Sequence, residues 1–288
     1  MERKFGLILI MLVLVFTLSS CNLKSEQLDN TSMPTSISIA TSITNPTNTS
    51  NNPNKPEFVS KPDWVGSFYK KCMCSYGILI LASDKVNDQA FLNCYWTLDA
   101  MLKKMAVDKP HILKQMIKNR ARVLILGKNE YNYQLPEWSW VTDKTLRRSA
   151  GGMETTVTEE NISNIDKNDW WNTNFSLIVH EFAHTILMSG ISDSNHIQAD
   201  IAIYKQIDNC YQEAIRKNLY TESAYDRTNN HEYFTGQSCR WFNANPSNLN
   251  VPNASKISDR EQLKIYDPNM YKIMESLYGD YKLPSPWN

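Results

Sequence analysis

The sequence predicts an α+β domain in which a small sheet is covered by helices. Three observations lead there. Two short aliphatic runs, YGILILAS (Tyr76 to Ser83) and ARVLILG (Ala121 to Gly127), have the length and branched-residue content of buried strands. Between them, apolar residues recur at helical spacing. Farther on, FSLIVHEFAHTILMSG (Phe175 to Gly190) is apolar round nearly its whole circumference, as a buried helix is.

The first strand leads into a helix predicted from Asp84 to Met105, with Ala90, Phe91, Cys94, Leu98, Met101, Leu102 and Met105 on its inner face. Pro110 can open a second helix to about Arg120, because a first helical turn tolerates proline. The second strand follows, so the first half of the chain reads β-α-α-β. Residues 128–174 are looser and hold LPEWSW, RRSAGG and METTVTEEN. Gly151-Gly152 predicts a sharp turn, and ETTVT (Glu154 to Thr158) an edge strand or a solvated hairpin arm. After the central apolar helix, Asp193 to Asn218 is helical and Tyr220 to Asn230 is a loop. Asn229 or Asn230 can cap a helix from His231 to Phe242. Ser258-x-x-Glu261 has the pattern of a capping box, and Pro268 opens a last helix that closes at Gly279.

Composition bounds the function loosely. The 288 residues allow one large domain or two small ones, with enough chain for a real core. Lysine plus arginine equals aspartate plus glutamate at 30 each, so there is no basic surplus for a nucleic-acid partner and no acidic tail. The 8 tryptophans and 14 tyrosines suit a packed extracellular domain. A monomer is expected.

The N-terminus is more telling. Arg3 and Lys4 precede an apolar run from Phe5 to Leu18, which is shorter than the roughly 20 residues a membrane span needs and suits the core of a signal peptide. The run ends in LSSC, which resembles a bacterial lipobox; the resemblance implies that Cys21 is lipidated and becomes the mature N-terminus. An ordinary signal peptide with a chance cysteine is the plainer alternative. From Asn30 to Asn54 the chain is mostly Ser, Thr, Asn and Pro without a single charge, a composition that cannot bury enough apolar surface to fold. The expected organisation is a signal peptide over 1–20, a lipid-anchored tether over 21–56 and a folded domain over 57–288, held outside the cytoplasm at a bacterial membrane. An exported domain can form disulfides, but five cysteines remain after Cys21 and cannot all pair. Cys94 with Cys72 or Cys74, and Cys210 with Cys239, are the plausible bridges.

The chemistry sits in the central helix. His180-Glu181-Phe182-Ala183-His184 is an HExxH motif. Residues four apart share one helix face, so the two imidazoles can bind one zinc ion. Glu181 lies one step round, where it can take a proton from a water activated by that zinc. An accidental motif is rare in a chain with 5 histidines, and burying His-Glu-His in so apolar a helix without a partner would cost several kcal/mol.

A catalytic zinc needs a third protein ligand and an open position. The longer HExxHxxGxxH form is absent: Leu187 stands at its glycine and Gly190 at its third histidine. His196 follows at loop distance and reads more simply as a surface histidine. Asp200 reads as a solvated helix charge, and His111 as exposed beside Pro110. Glu232, in YDRTNNHEYFTGQSCRWF (Tyr225 to Phe242), is the best candidate. It falls in the first turn of an amphipathic helix, where the helix dipole favours a carboxylate, though composition alone favours a solvated glutamate there.

LIVHEFAHTI followed by YDRTNNHEYF resembles the lethal-factor-like zinc metallopeptidases, the family of the anthrax lethal factor catalytic domain. SYGILILAS, the Gly-Gly turn and DPNMY are similar to a wider group of secreted zincin-like proteins. The resemblance implies a zincin-like fold of the gluzincin type, one zinc held by His180, His184 and Glu232, Glu181 as general base, and Tyr225 as hydroxyl donor to the developing oxyanion. It also implies an acidic residue four positions after the glutamate ligand, beside the metal ligands. Glycine stands there, at Gly236, and neither Gln237 nor His231 lies on the matching face.

The expected activity is a membrane-tethered, extracytoplasmic zinc metalloendopeptidase. Two alternatives stay open: a zinc hydrolase of a non-peptide bond such as a cell-wall amide, and a metal-holding lipoprotein with weak turnover. A peptide or protein substrate would add as a strand beside Glu154 to Thr158. Trp138, Trp140, Trp170 and Trp171 could line subsites, although core packing is the commoner use of tryptophan.

Overall fold

The computed structural model describes residues 56–141, 144, 147–163, 176–192, 199–220, 222, 224–244, 257 and 259–283. The expectations for the leader, the tether, Cys21, Trp170, Trp171, His196 and Ser258 lie outside the described residues.

A four-stranded sheet runs β1 (Lys71–Ser75), β2 (Ile78–Ala82), β3 (Arg122–Leu126) and β4 (Glu154–Thr158), in that spatial order. β1 and β2 are antiparallel, and the other two junctions are parallel. A parallel neighbour needs a long crossover. Helices α1 (Asp88–Asp108) and α2 (Pro110–Lys118) supply it between β2 and β3. The α+β class and the small mixed sheet packed on helices are as the sequence predicts.

Side chains alternate across the sheet. Ile78, Ile80, Ala82, Val123 and Ile125 enter the large core with Phe91, Leu98, Met101, Ile178 and Phe182. Leu81, Leu124 and Leu126 face a smaller core with Val65, Tyr69, Cys72 and Leu135. Burial on both faces explains why the strands read as unbroken apolar runs. Trp138 packs at the edge of the smaller core, with Trp140 stacked on it at 6.0 Å and largely exposed.

Several boundaries differ from expectation. Tyr76 and Gly77 are not strand but the hairpin turn between β1 and β2, with φ of 51° and 85°, the doubly positive pattern of tight hairpins. Helix α1 begins at Asp88 rather than Asp84, because the Asn87 side chain accepts from Gln89 N and caps it there. Among the described residues, the remaining α-helices are α3 (Glu159–Ser163), α4 (Leu177–Thr185), α5 (Ile201–Arg216), α6 (Asn230–Trp241), α7 (Arg260–Tyr266) and α8 (Pro268–Tyr278). Asn229, not Asn230, caps α6. The cap of α7 is Asp259, whose carboxylate accepts from Gln262 N at 2.9 Å, one residue after the expected Ser258.

The cysteines also correct the sequence reading. Cys72, Cys74, Cys94, Cys210 and Cys239 are free thiols. Cys94 points into the large core while Cys72 lies across the sheet in the smaller one. Cys74, two residues along the strand from Cys72, shares its face. Burial pushes the Cys72 and Cys210 thiols up to about 12. Among the described residues, no helix is long and apolar enough to cross a membrane.

Candidate metal centre

Helix α4 is fastened at both ends before it presents any chemistry. Its first free amide, Leu177 N, donates to Asn161 Oδ1 of α3 at 2.8 Å, and Ser176 N donates to Ala244 O beyond α6 at 3.1 Å. On the sheet side, Thr155 of β4 hydrogen-bonds the Thr185 hydroxyl at 2.7 Å and donates to Glu181 O at 3.3 Å. After Thr185 the chain widens into a π-helical turn, Ile186–Ile191, a feature often found beside functional sites.

Helix α6 packs across α4. Asn229 Oδ1 accepts from Glu232 N at 2.9 Å, which fixes the first turn that carries the Glu232 carboxylate. Glu232 Oε2 lies 3.3 Å from His180 Nε2 and 3.3 Å from His184 Nε2. Among the described residues, these three offer ligand atoms that all lie within 4.8 Å of one another, a group that could hold one metal ion.

The spacing fits zinc. Two ligand atoms each about 2.1 Å from a tetrahedral centre stand about 3.4 Å apart. Glu232 Oε2 is moreover buried and makes no hydrogen bond of good geometry, although it approaches both imidazoles. A buried carboxylate oxygen without a directed donor is costly, and a shared cation offsets that cost. Two imidazoles and one carboxylate are also a donor set that catalytic zinc takes, with a fourth position left open.

The electrostatics separate the two glutamates. Burial raises the Glu232 carboxyl, but His180 and His184 outweigh it and hold the group well below the usual carboxylate range. Glu181 moves the other way: burial, with the Glu232 charge adding to it, lifts its carboxyl to about 7 against the pull of His184, a Ser149 hydrogen bond and Arg147. Glu232 is thus kept ionised, as a metal ligand would have to be, and Glu181 is shifted toward neutrality, where a proton acceptor works best.

Tyr225 is 45% exposed, with its ring 6.1 Å from that of His180. Burial and the adjacent Glu232 carboxylate raise its phenol, so the hydroxyl keeps its proton and can donate it in a hydrogen bond. The structure therefore brings together His180, Glu181, His184, Tyr225 and Glu232, the five residues to which the resemblance gives catalytic or ligand roles. It sets Asp200 and His111 apart from them. Asp200 caps α5 by accepting from Ile203 N at 3.0 Å, and its other oxygen meets His111 Nε2 at 3.0 Å.

Two features escape the sequence reading. Gly151 matters for close approach as well as for the expected turn, since the chain bends at Gly152 and Met153 and reverses to pair Ala150 with Thr156. A Cβ there would fall 2.5 Å from Glu181 O, 2.6 Å from His184 Cβ and 2.9 Å from Glu181 Oε2. The segment before it also changes the expected substrate edge. Ala150 N donates to Thr156 O at 3.1 Å and Thr156 N to Ala150 O at 2.7 Å, so the middle of the outer β4 edge is already paired. A peptide cannot add along all of Glu154 to Thr158, because Thr156 has no free backbone group to offer it.

No protein-family model matches the chain, and no curated protein does. Among solved structures, the Pro-Pro endopeptidase PPEP-2 from Paenibacillus alvei is similar, with a TM-score of 0.43 and 13% identity over 69% of this chain and 97% of that one. The likeness is slight, and what the site can do rests on its own geometry.

Proposed function

We propose that the chain is a zinc metalloendopeptidase of the zincin-like, gluzincin kind that the lethal-factor-like resemblance implies. The observation that carries the reading is the convergence of His180 Nε2, His184 Nε2 and Glu232 Oε2, with the Glu181 side chain on the same helix beside them. When bound, zinc would acidify a water and polarise a scissile carbonyl.

The chain's own residues supply the rest. His180, His184 and Glu232 hold the ion. Glu181 accepts the proton of the attacking water and later returns it to the leaving amine. Tyr225 donates its hydroxyl hydrogen bond to the carbonyl oxygen as negative charge gathers there, an interaction stronger in the transition state than in the bound substrate. Gly151 keeps Glu181 and His184 in register by allowing the neighbouring loop to lie flat on them. By the same reading, Cys21 carries a lipid, residues 21–56 tether the domain, and the enzyme works on peptides or proteins outside the cytoplasm.

A peptide-library screen of the zinc-loaded protein tests this, with Glu181→Gln as control and cell-wall amides in parallel. Cleavage of peptides by the wild type and not by the variant is expected. Wild type and variant behaving alike on every peptide, with zinc bound in both, overturns the peptidase reading. Cleavage of the amides alone moves the activity to the non-peptide bond.

A further inference from the structure

We infer that Asp226 is a positioning residue for Tyr225: its buried ion pair with Arg240, admitted by Gly236, locks the turn that presents the tyrosine hydroxyl to the helix that carries Glu232. The inference rests on the peptidase reading above and concerns how its hydroxyl donor is held.

Tyr225 opens a single 3-10 turn, Tyr225–Arg227; its hydroxyl meets Glu232 and its ring lies beside His180, with nearly half its surface exposed. The turn that carries it is held by the two residues that follow. Arg227 Nη1 donates to Asn218 Oδ1 at 2.6 Å and to Tyr220 O at 2.9 Å, and Arg227 O accepts from Tyr211 at 2.8 Å. Asp226 turns inward. Its Oδ1 accepts from Arg240 Nη1 at 2.5 Å and from Gln237 Nε2 at 3.2 Å, and its Oδ2 accepts from Arg240 Nη2 at 3.3 Å. Arg240 Nε donates to Ile257 O at 3.2 Å, so the guanidinium is itself anchored. Both side chains are buried, 2% exposed for Arg240 and 8% for Asp226. A two-pronged arginine–carboxylate pair of this kind fixes orientation as well as distance.

Gly236 is the condition for this arrangement. A Cβ at 236 would lie 2.1 Å from Asp226 Oδ1 and 3.1 Å from Arg240 Nη1, so any side chain there would expel the carboxylate. Glycine in mid-helix is otherwise unfavourable. Position 236 is one turn beyond Glu232, on the same face of α6. The carboxylate that sits on this face thus comes not from the helix but from the Tyr225 turn. The ion pair couples the hydroxyl donor to the helix that holds the glutamate ligand. Pairing Arg240 from within α6 would satisfy the buried charge equally well but would leave the turn untied.

That difference gives the test. Asp226→Ala strands the Arg240 charge and can simply unfold the domain. Asp226→Ala combined with Gly236→Asp places a carboxylate four residues before Arg240 on the same helix, where it can neutralise the charge without touching the turn. For the zinc-loaded double variant, thermal stability and zinc content near wild type are expected, with KM kept and kcat down by about 10-fold to 100-fold, comparable to Tyr225→Phe. A fluorotyrosine label at position 225 should give one narrow NMR line in the wild type and a broadened, solvent-like line in the double variant, whether or not a cleavable peptide is known. If no peptide is cleaved at all, the peptidase reading fails and the label still decides the positioning. Wild-type kcat and an unchanged line in the double variant overturn the inference, as does wild-type kcat in Tyr225→Phe. Should the double variant fail to fold, Asp226→Asn keeps the shape and removes the charge. Reduced kcat with KM kept supports the positioning role, and unchanged kcat refutes it.

Discussion

Replacing Glu181 with glutamine should stabilise the metal-free protein at pH 8 and do so several-fold less at pH 5. The side chain is 9% exposed, and burial lifts its carboxyl from the ordinary 4.5 to about 7. The sign follows from which form the folded state favours. A raised carboxyl favours the protonated form, so its stability contribution is complete below about 4.5 and is lost as pH rises through about 7. Glutamine mimics the protonated form at every pH. The gap between 4.5 and about 7, at about 1.36 kcal/mol per pH unit, gives a ceiling of about 3 kcal/mol for the gain at pH 8. For a domain of this size that is roughly 6 to 12 °C in Tm. The assay is thermal unfolding of both proteins with a chelator present, at half-unit steps from pH 5 to pH 8. The chelator is required because a bound cation would favour the carboxylate and hide the effect. Glu232, whose carboxyl is shifted the opposite way, contributes equally to both proteins and drops out of the difference. A Tm difference that does not change with pH, or a glutamine variant less stable at pH 8, would refute the reasoning that Glu181 is held near neutrality by burial.

Three further outcomes follow from the geometry. Gly151→Ala should cost about 1–3 kcal/mol from overpacking and lower peptide hydrolysis by about 100-fold, because the added methyl meets a backbone oxygen of α4 that cannot move aside; unchanged kcat would contradict the close-approach role. Thr185→Val should lower stability by about 1–2 kcal/mol, measured by denaturant unfolding, because it strips the buried Thr155 hydroxyl of its 2.7 Å partner. His111→Ala should leave zinc content and hydrolysis at wild-type levels, since His111 pairs with Asp200 and is not among the three residues proposed to hold the ion; loss of zinc in that variant would place the ion elsewhere.

What the sequence could show depended on whether the cause was local. β2 and β3 were legible because burial on both faces leaves a run with no polar interruption. The α4 motif was legible because its two histidines and Glu181 share one helix and one spacing. β1 was missed because KCMCS lacks branched residues and takes its strand form from pairing with β2, across a turn that begins with tyrosine. Glu232 lies 48 residues beyond His184, and spacing alone left it no better than a solvated glutamate. Only the packing of α6 on α4 brings its carboxylate to the imidazoles. The close-approach roles of Gly151 and Gly236 could not be read, because their reason is the arrival of another segment. At position 236 the missing acidic side chain looked like a loss, whereas the structure fills that place with the Asp226 carboxylate. ETTVT is the edge strand expected, but its outer edge is occupied at Thr156 for a similar reason, since Ala150 returns to pair with it.

The central claim is that His180, His184 and Glu232 share one zinc ion. Zinc per mole of purified protein in the wild type, Glu232→Ala and His196→Ala tests it most directly. One equivalent in the wild type, little in Glu232→Ala and one in His196→Ala is the predicted result. Zinc kept in Glu232→Ala and lost in His196→Ala would contradict the assignment.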